Sequence, residues 1–493
     1  MDFTLLFFAF AALLSIYLYL VRNYDHWRTQ KVPTAPGVLP GFGHALPLLT
    51  LRENFGTLIS RLYARMGLRS MYGCYLLQTP ALLIREPHLL KAVLRSDFPS
   101  FRNNLLSVHG DLDPVMANNP FFARDDLWRE SRVRLSANFS GKRMRFVFAN
   151  SALACQKLQD FVDRRIGTAA EFESRDLFAR VSGEVVASTV FGIDSRGFED
   201  APERDSFARV AARFFEPTVG NAARLAVRFF LPRVADRLGV GFLTREMDRF
   251  VRRRLGAFVK STLHSGRPLE QCYQFPLDLD GLDEDAVTAQ ATSLLFDGYE
   301  ACTNVLSFMM YRLAGNAEVQ TRAREEVARV LAGELSYEGV KGLEYLEWVV
   351  METLRMNPVF GDLSRVCTRE TVLEGSDGLS CRLRPGDVVL MSPESLHMDE
   401  EYWPRPGVFD PERFASENRV KLSRYAFLGF SEGARMCPGK RMGLMIVKTV
   451  AAAVLQRYSI EVAERSRGPL KLNPNSFASV VEGGLWIRLK PLR

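Results

Sequence analysis

The chain has 493 residues and a formal net charge of +7, from 64 basic and 57 acidic residues. With 47% hydrophobic and 25% charged residues most of it is globular, and the mild basic excess favours an acidic partner or an anionic membrane surface over nucleic acid, for which no zinc-finger or RNA-binding motif is present. Its seven cysteines are scattered without a CxxC pair, which argues against a disulfide framework and predicts a reduced, cytosol-facing compartment.

The N-terminal stretch, residues 3–21, carries no charge and is close to the about 20 residues that span a bilayer. Arg22 and Arg28 follow it, so the positive-inside rule places the rest of the chain in the cytosol. A cleaved signal peptide is the alternative, but the run is long and lacks a basic start and a clear cleavage site. We predict a membrane anchor at residues 1–31, a stiff, structureless Pro-rich hinge at residues 32–50 and one large domain at residues 51–493.

Helices and short strands alternate from about residue 55. Residues 72–84 suit a small hairpin, and residues 100–122 form a long irregular loop of the kind that is usually functional or disordered. Residues 127–135 are predicted to be helical, which places Trp128 and Arg132 on one face. The basic residues around this helix form either a solvated face or a docking site: Arg124, Arg129, Arg134, Lys142, Arg143 and Arg145.

A mixed basic and apolar segment, residues 224–233, follows among the amphipathic helices of residues 150–265. It suits either an ordinary helix–loop surface or a second membrane contact. Strand-like runs at residues 387–391 and 485–489 complete a minor sheet.

The longest helical pattern covers residues 283–314 and would span about 48 Å at 1.5 Å per residue. Gly298 lies inside it, where a glycine costs about 1 kcal/mol against alanine and therefore needs a reason. Glu300, Ala301 and Thr303 follow directly.

A candidate ionic network comes next. Glu352 and Arg355 are three residues apart on a predicted helix, a spacing that most proteins use for an ordinary surface pair. Arg413 follows in the run Phe-Asp-Pro-Glu-Arg-Phe. A buried carboxylate bracketed by two guanidiniums would be costly to break.

The most informative stretch surrounds Cys437, in the spacing Phe-x-x-Gly-x-Arg-x-Cys-x-Gly. A thiolate binds iron well, Gly433 and Gly439 would supply turns open to positive φ, and a helix beginning just after the cysteine would stabilise the thiolate. Arg435 could reach an anionic group and Phe430 could shield the sulfur. A buried, inert cysteine is the alternative for any one cysteine, but the complete spacing resembles the haem-binding signature of the cytochrome P450 family.

The resemblance extends over essentially the whole chain, is most like the insect microsomal branch, and implies a mainly α fold with a small β lobe, a helical prism around haem. It implies that Cys437 is the axial ligand of the iron of haem b. The residues that it assigns to the cofactor are Trp128, Arg132, Arg365, Phe430, Arg435 and Cys437. It makes Glu352, Arg355 and Arg413 a structural network, and it places residues 476–481 in a turn that reaches the substrate pocket.

The same resemblance makes residues 283–314 the helix over the distal haem face. Gly298 would open a kink for dioxygen, and Glu300 would relay protons. Ala301 stands where the family has a threonine, and the nearby Cys302 and Thr303 would point elsewhere on a helix. The predicted catalytic positions are Gly298, Glu300, Ala301 and Thr303.

The implied activity is monooxygenation of a small lipophilic substrate such as a xenobiotic, steroid or hormone, at the cytosolic face of the endoplasmic reticulum. Electrons from NADPH would arrive through cytochrome P450 reductase, with cytochrome b5 as a further partner. Ala301 keeps two alternatives open: a haem-thiolate isomerase or dehydratase, and a non-catalytic haem protein.

Overall fold

The computed structural model describes residues 3–108, 110–137, 139, 141–166, 171–264 and 284–492. Within these ranges the long helices are α1 Phe3–Val21, α2 Phe55–Met66, α3 Asp125–Ala137, α4 Gly141–Ile166, α5 Ser174–Val186, α6 Phe207–Phe215, α7 Val219–Phe230, α8 Arg245–His264, α9 Glu284–Gly315, α10 Ala317–Leu331, α11 Glu344–Met356 and α12 Lys440–Arg457. The shorter helices are His26–Thr29, Leu46–Leu49, Pro87–Lys91, Pro114–Ala117, Pro232–Leu238, Tyr337–Gly342, Pro393–Leu396 and Ser416–Arg419.

The strands are β1 Met71–Leu76, β2 Thr79–Ile84, β3 Glu171–Glu173, β4 Leu363–Val366, β5 Thr371–Glu374, β6 Ser380–Leu383, β7 Val388–Met391, β8 Tyr458–Val462 and β9 Trp486–Pro491. They form sheets in the orders β1-β2-β7-β4, β3-β9-β8 and β5-β6. The predicted hairpin is present as the antiparallel pair β1 and β2, with Met71 opposite Ile84. The two late strands predicted for one minor sheet lie in different sheets. The predicted class, mainly helical with a small β part, is confirmed.

Helix α9 runs through the largest hydrophobic core of the described residues. It packs against α5, α11 and α12, and Leu306, Met309 and Leu313 on it are fully buried. Its described part begins at Glu284, and the predicted first residue, Asp283, lies outside the described residues. A helix this long holds its middle turns, Gly298 to Thr303, at a fixed place in the interior.

The N-terminal region differs from its prediction only after helix α1. Helix α1 is long and apolar enough to cross a membrane, with a mean hydropathy of 2.3 and none of its residues buried. The chain after it is folded: Trp27 has no exposed surface and its indole N–H donates to the Cys74 carbonyl at 2.9 Å. A Cβ on Gly73 would lie 2.4 Å from the Trp27 ring, so only glycine leaves room for the indole.

The Pro-rich segment 32–50, predicted to be structureless, is instead bonded to the first sheet. The amide of Ala35 donates to the Gly73 carbonyl at 2.8 Å, and the amide of His44 donates to the Tyr75 carbonyl at 2.8 Å. Ala35 and Ala45 are buried. Prolines remove backbone donors but leave the carbonyls and the intervening amides free to pair, so a proline-rich composition did not prevent order here.

The segment 224–233 spans the end of α7. Arg228 is 2% exposed and pairs with Asp236 at 2.7 Å. The half-buried rings of Phe229 and Phe230 turn inward, against Phe122 and Phe55 respectively. This part of the segment is packed as an ordinary helix surface.

Candidate active site

The loop before α12 holds Cys437 in a tight backbone path. The amide of Cys437 donates to the Phe430 carbonyl at 2.9 Å, and the amide of Met436 donates to the Gly433 carbonyl at 3.1 Å. Gly433 has φ +79°, and a Cβ there would lie 1.8 Å from the Leu94 carbonyl oxygen, so glycine is required. The loop is thereby pressed directly against the backbone of residue 94.

The expectation for Gly439 was wrong. Its φ is −85°, which any residue adopts, and a Cβ there would meet nothing closer than the Phe139 ring at 3.8 Å. Gly439 is instead the residue just before α12, so the helix begins three residues after Cys437 as the sequence predicted. The orphan N–H groups at that helix end favour negative charge near the cysteine.

Three arginines gather beside the cysteine. Arg132 on α3 donates to the Met436 carbonyl at 2.6 Å. Arg435 donates to the carbonyls of Arg102, Pro120 and Ala123, and its guanidinium lies 4.5 Å from the centre of the Trp128 ring. Arg365 on β4 is 4% exposed and donates to the side-chain oxygen of Asn104 at 2.8 Å.

We call Arg132, Arg365 and Arg435 the arginine cluster. Burial lowers the pKa of Arg365 to about 10. Burial, and then the charges of Arg365 and Arg132, lower the pKa of Arg435 to about 9. Among the described residues no carboxylate hydrogen-bonds any of the three, and Nε of Arg365 has no partner. Buried like charges are unfavourable unless an anion joins them, so the cluster fits a ligand that carries carboxylates.

The neighbours of the cysteine also fit such a ligand. Phe430 is half-buried, and the Lys440 ammonium lies 5.2 Å from its ring centre. Burial lowers the pKa of Lys440, while the nearby Cys437 opposes that shift. Across the site, burial raises the pKa of the Cys302 thiol to about 12, and Cys437 adds to it. Cys437 is therefore close enough to Lys440 and to Cys302 of α9 to affect the pKa of each.

Helix α9 is continuous through Gly298, without a break in its helical conformation. A Cβ on Gly298 would lie 3.3 Å from Val186, which is tighter than most contacts, and 3.6 Å from Met442, which is an ordinary contact. The glycine is thus accounted for by the close packing of α9 against its neighbours. Ala301 is half-buried one turn further on.

The two polar residues predicted on this helix have their own partners. Glu300 accepts a hydrogen bond from Arg175 on α5 at 2.9 Å and is 7% exposed. The Glu300 charge opposes the effect of burial, and the pKa of Arg175 lies above its usual value. The hydroxyl of Thr303 donates to the Tyr299 carbonyl at 2.7 Å, inside its own helix. Arg175 was missed by the sequence analysis, because an arginine in the first turn of a helix gives no pattern.

The ionic network is buried beneath the cysteine loop. Glu352 and Arg355 have no exposed surface, and Arg355 binds both carboxylate oxygens of Glu352 at 2.7 Å. Arg413 approaches Glu352 to 3.4 Å. The amide of Asp410 donates to Glu352 at 2.9 Å. The carboxylate is therefore bracketed by two cations, and the spacing was not that of a surface pair.

His397, also missed, joins this network to the cysteine loop. Its Nε2 accepts the amide proton of Leu428 at 2.8 Å, so the other nitrogen, Nδ1, carries the ring proton and donates to the Arg355 carbonyl at 3.0 Å. Arg355 in turn donates to the His397 carbonyl at 2.7 Å. A lone histidine in the run Leu-His-Met gives no sequence signal for such a role.

Comparison with known proteins identifies the family to which the chain belongs. Its residues 33–487 match the profile of the family described as Cytochrome P450. The chain belongs to the cytochrome P450 family. It is similar to "Probable cytochrome P450 28c1" of Drosophila melanogaster, with 31% identity over 97% of this chain and 96% of the relative. "Cytochrome P450 6l1" of Blattella germanica is 30% identical over 93% of this chain and 91% of the relative.

These relatives confirm the predicted family and its likeness to insect members. As a cytochrome P450 the chain is a monooxygenase, and the family implies haem with a cysteine thiolate ligand. The arginine cluster and the loop of Cys437 agree with that cofactor in their chemistry, because they pair a thiol with buried and half-buried cations that no described carboxylate hydrogen-bonds.

Proposed function

We propose that the chain is a membrane-anchored monooxygenase that inserts one oxygen atom of O2 into a small lipophilic substrate, with electrons from NADPH delivered by cytochrome P450 reductase. The observation that carries the proposal is the position of Cys437 in a loop that the arginine cluster contacts, just before the start of α12. When bound, haem supplies the redox-active iron that activates dioxygen.

Different residues of this chain would bind different parts of the cofactor. Cys437 is the iron ligand, and the N-terminus of α12 favours its thiolate form. Arg132, Arg365 and Arg435 neutralise the propionates. Trp128 stacks beneath Arg435 and keeps that guanidinium in place.

On the opposite side, the chain offers few groups for moving protons. Ala301 has no hydroxyl, and the hydroxyl proton of Thr303 is donated within the helix. Glu300 is the acid nearest to Ala301 on α9, and Arg175 holds it by an ion pair. Proton delivery therefore falls to water beside Glu300, or to a hydroxyl on the substrate itself.

The remaining partners follow from position and charge. Helix α1 anchors the chain in the endoplasmic reticulum, with the domain in the cytosol, since Arg22 and Arg28 follow the apolar run. The exposed Arg129 lies on α3, which contacts the cysteine loop through Arg132, and the exposed Lys142 lies at the start of α4. This basic surface suits an acidic reductase or cytochrome b5.

The test is the full chain with reductase in lipid vesicles. The native protein should give a thiolate-type spectrum when reduced under carbon monoxide and should consume NADPH with substrate. Cys437→Ser should lose both, while Cys302→Ser, which changes the cysteine on the facing helix, should keep the spectrum. Retention of the thiolate-type spectrum by Cys437→Ser would reject the ligand assignment, and turnover of a hydroperoxide without reductase would favour an isomerase.

A further inference from the structure

A continuous cluster of aromatic rings lies beside the proposed site. Neighbouring centroids are 4.7 to 6.4 Å apart, as in ordinary aromatic packing. The rings come from separate parts of the chain and belong to Phe121, Phe122, Phe214, Phe215, Phe229, Phe242, Phe296, Phe360 and Phe477. We call these nine residues the aromatic cluster.

The aromatic cluster borders the arginine cluster. The side chain of Asn104 accepts from Arg365 at 2.8 Å and donates to the carbonyl of Phe121 at 2.8 Å. Phe296 lies on α9 just before Gly298, and its ring is 4.7 Å from that of Phe214. A molecule bound between α9 and these segments would therefore meet aromatic faces.

The polar groups of Ser479, at the end of this cluster, are bonded to the protein. The hydroxyl of Ser479 donates to the Pro358 carbonyl at 2.6 Å, and its amide donates to the Val359 carbonyl at 2.9 Å. These bonds tie the turn of Phe477 to the segment of Phe360, whose rings are 5.4 Å apart.

Asn304, on the facing helix α9, has a side-chain atom that is not bonded in this way. It is 2% exposed, and its side-chain amide nitrogen donates to the Ser479 carbonyl at 2.5 Å. Its side-chain oxygen accepts no hydrogen bond from any residue that the structure describes. A buried acceptor without a donor costs about 1–3 kcal/mol, so such an atom calls for a partner.

The position of Asn304 in the fold indicates which molecule donates a hydrogen bond to its side-chain oxygen. It follows Ala301 by three residues on α9, so the two share one side of the helix. The bond from its nitrogen to Ser479 holds the amide against the turn that carries Phe477, and fixes which end of the amide is left without a donor. The acceptor thus lies at the edge of the aromatic cluster and one helical turn from the proposed reaction centre.

We infer that Asn304 orients the substrate by accepting a hydrogen bond from it, and that the substrate class is a neutral aromatic compound with one O–H or N–H donor. The inference rests on the proposed function for the identity of the pocket. The aromatic cluster binds the ring faces, and the Asn304 oxygen selects the molecule that brings a donor, since a matching compound without one leaves this atom unpaired.

The test measures binding, without turnover, by equilibrium dialysis of the haem-loaded full chain. The probes are 2-naphthol, which has a donor, and 2-methoxynaphthalene, which has none. Native protein should prefer 2-naphthol by about five- to tenfold, the effect of one hydrogen bond. Asn304→Leu should remove that preference, while Asn150→Leu, at a buried asparagine whose nitrogen donates within α4, should keep it.

A second pair of probes tests the aromatic part. Native protein should bind 2-naphthol more tightly than its saturated analogue decahydro-2-naphthol, and Phe477→Leu should reduce that ratio. If Asn304→Leu does not fold, Asn304→Ser, whose shorter side chain cannot hold the same acceptor position, should show the same loss. An equal naphthol preference in native protein and the Asn304 variants overturns the inference. Failure of the proposed function would appear separately, as absent turnover with the binding ratio intact.

Discussion

His397 should make the stability of this protein fall in mild acid. Burial, and then the charge of Arg355, lower the pKa of His397 from 6.5 to about 3. The ring also stacks on Phe427 at 5.3 Å and lies near Trp403, while hydrogen bonding to the backbone of Arg355 and Leu354 offsets only part of the pKa shift. Below about pH 6.5, His397 binds a proton in the unfolded chain but remains neutral in the folded chain. The neutral His397 therefore contributes its full share to the free energy of unfolding above that pH, and this contribution is lost as the pH falls from about 6.5 toward 3.

The magnitude follows from the width of that window. One pH unit is worth about 1.4 kcal/mol, so between about pH 6.5 and pH 5 the histidine removes about 2 kcal/mol. The assay is guanidinium unfolding of the full chain in detergent at about pH 7 and pH 5. His397→Gln, which does not titrate, should lose about 2 kcal/mol less than native protein over this interval. Equal losses in the two proteins would refute the neutral, buried histidine.

Three further predictions concern the loop, the network and α9. Gly433→Ala should cost about 3 kcal/mol of unfolding free energy, from positive φ and the backbone overlap, while the matched Gly439→Ala should stay within about 0.5 kcal/mol by the same unfolding assay. Glu352→Gln leaves Arg355 without its anion and should cost about 3–5 kcal/mol, seen as haem-free protein on purification; normal haem content would contradict it. Ala301→Thr restores a hydroxyl and should raise the ratio of product to NADPH consumed on substrates without a donor; an unchanged ratio would show that the native protein is already coupled.

Much of the fold could be predicted because its signals are local. The 32-residue helix α9, the β1–β2 hairpin and the helix after Cys437 follow from periodicity, turn residues and a single glycine-rich loop. Arg435 could be proposed from the cysteine loop itself, whereas Arg132 and Arg365 could be named only through the family resemblance, since they lie in distant parts of the chain.

What could not be predicted depends on tertiary contacts. Arg175 and His397 act through partners more than 30 residues away, and neither spacing nor residue type marks them. The requirement at Gly433, but not at Gly439, is set by the carbonyl of Leu94, which the sequence does not place. Asn304 is conspicuous only once burial shows that one end of its amide has no donor among the described residues.

The burial of Trp27 has a practical consequence for where this chain can be shortened. The amide of Gly41 donates to the Leu20 carbonyl at 3.3 Å, so the end of α1 is fastened to the segment that edges β1. A soluble version beginning at residue 51 would remove the indole and leave a hole against Gly73, at a cost of about 3–5 kcal/mol. Cutting at residue 22 would discard the apolar helix and keep the indole. In the membrane-anchored form that we propose, the bond between Gly41 and Leu20 would restrict rotation of the domain about the end of α1.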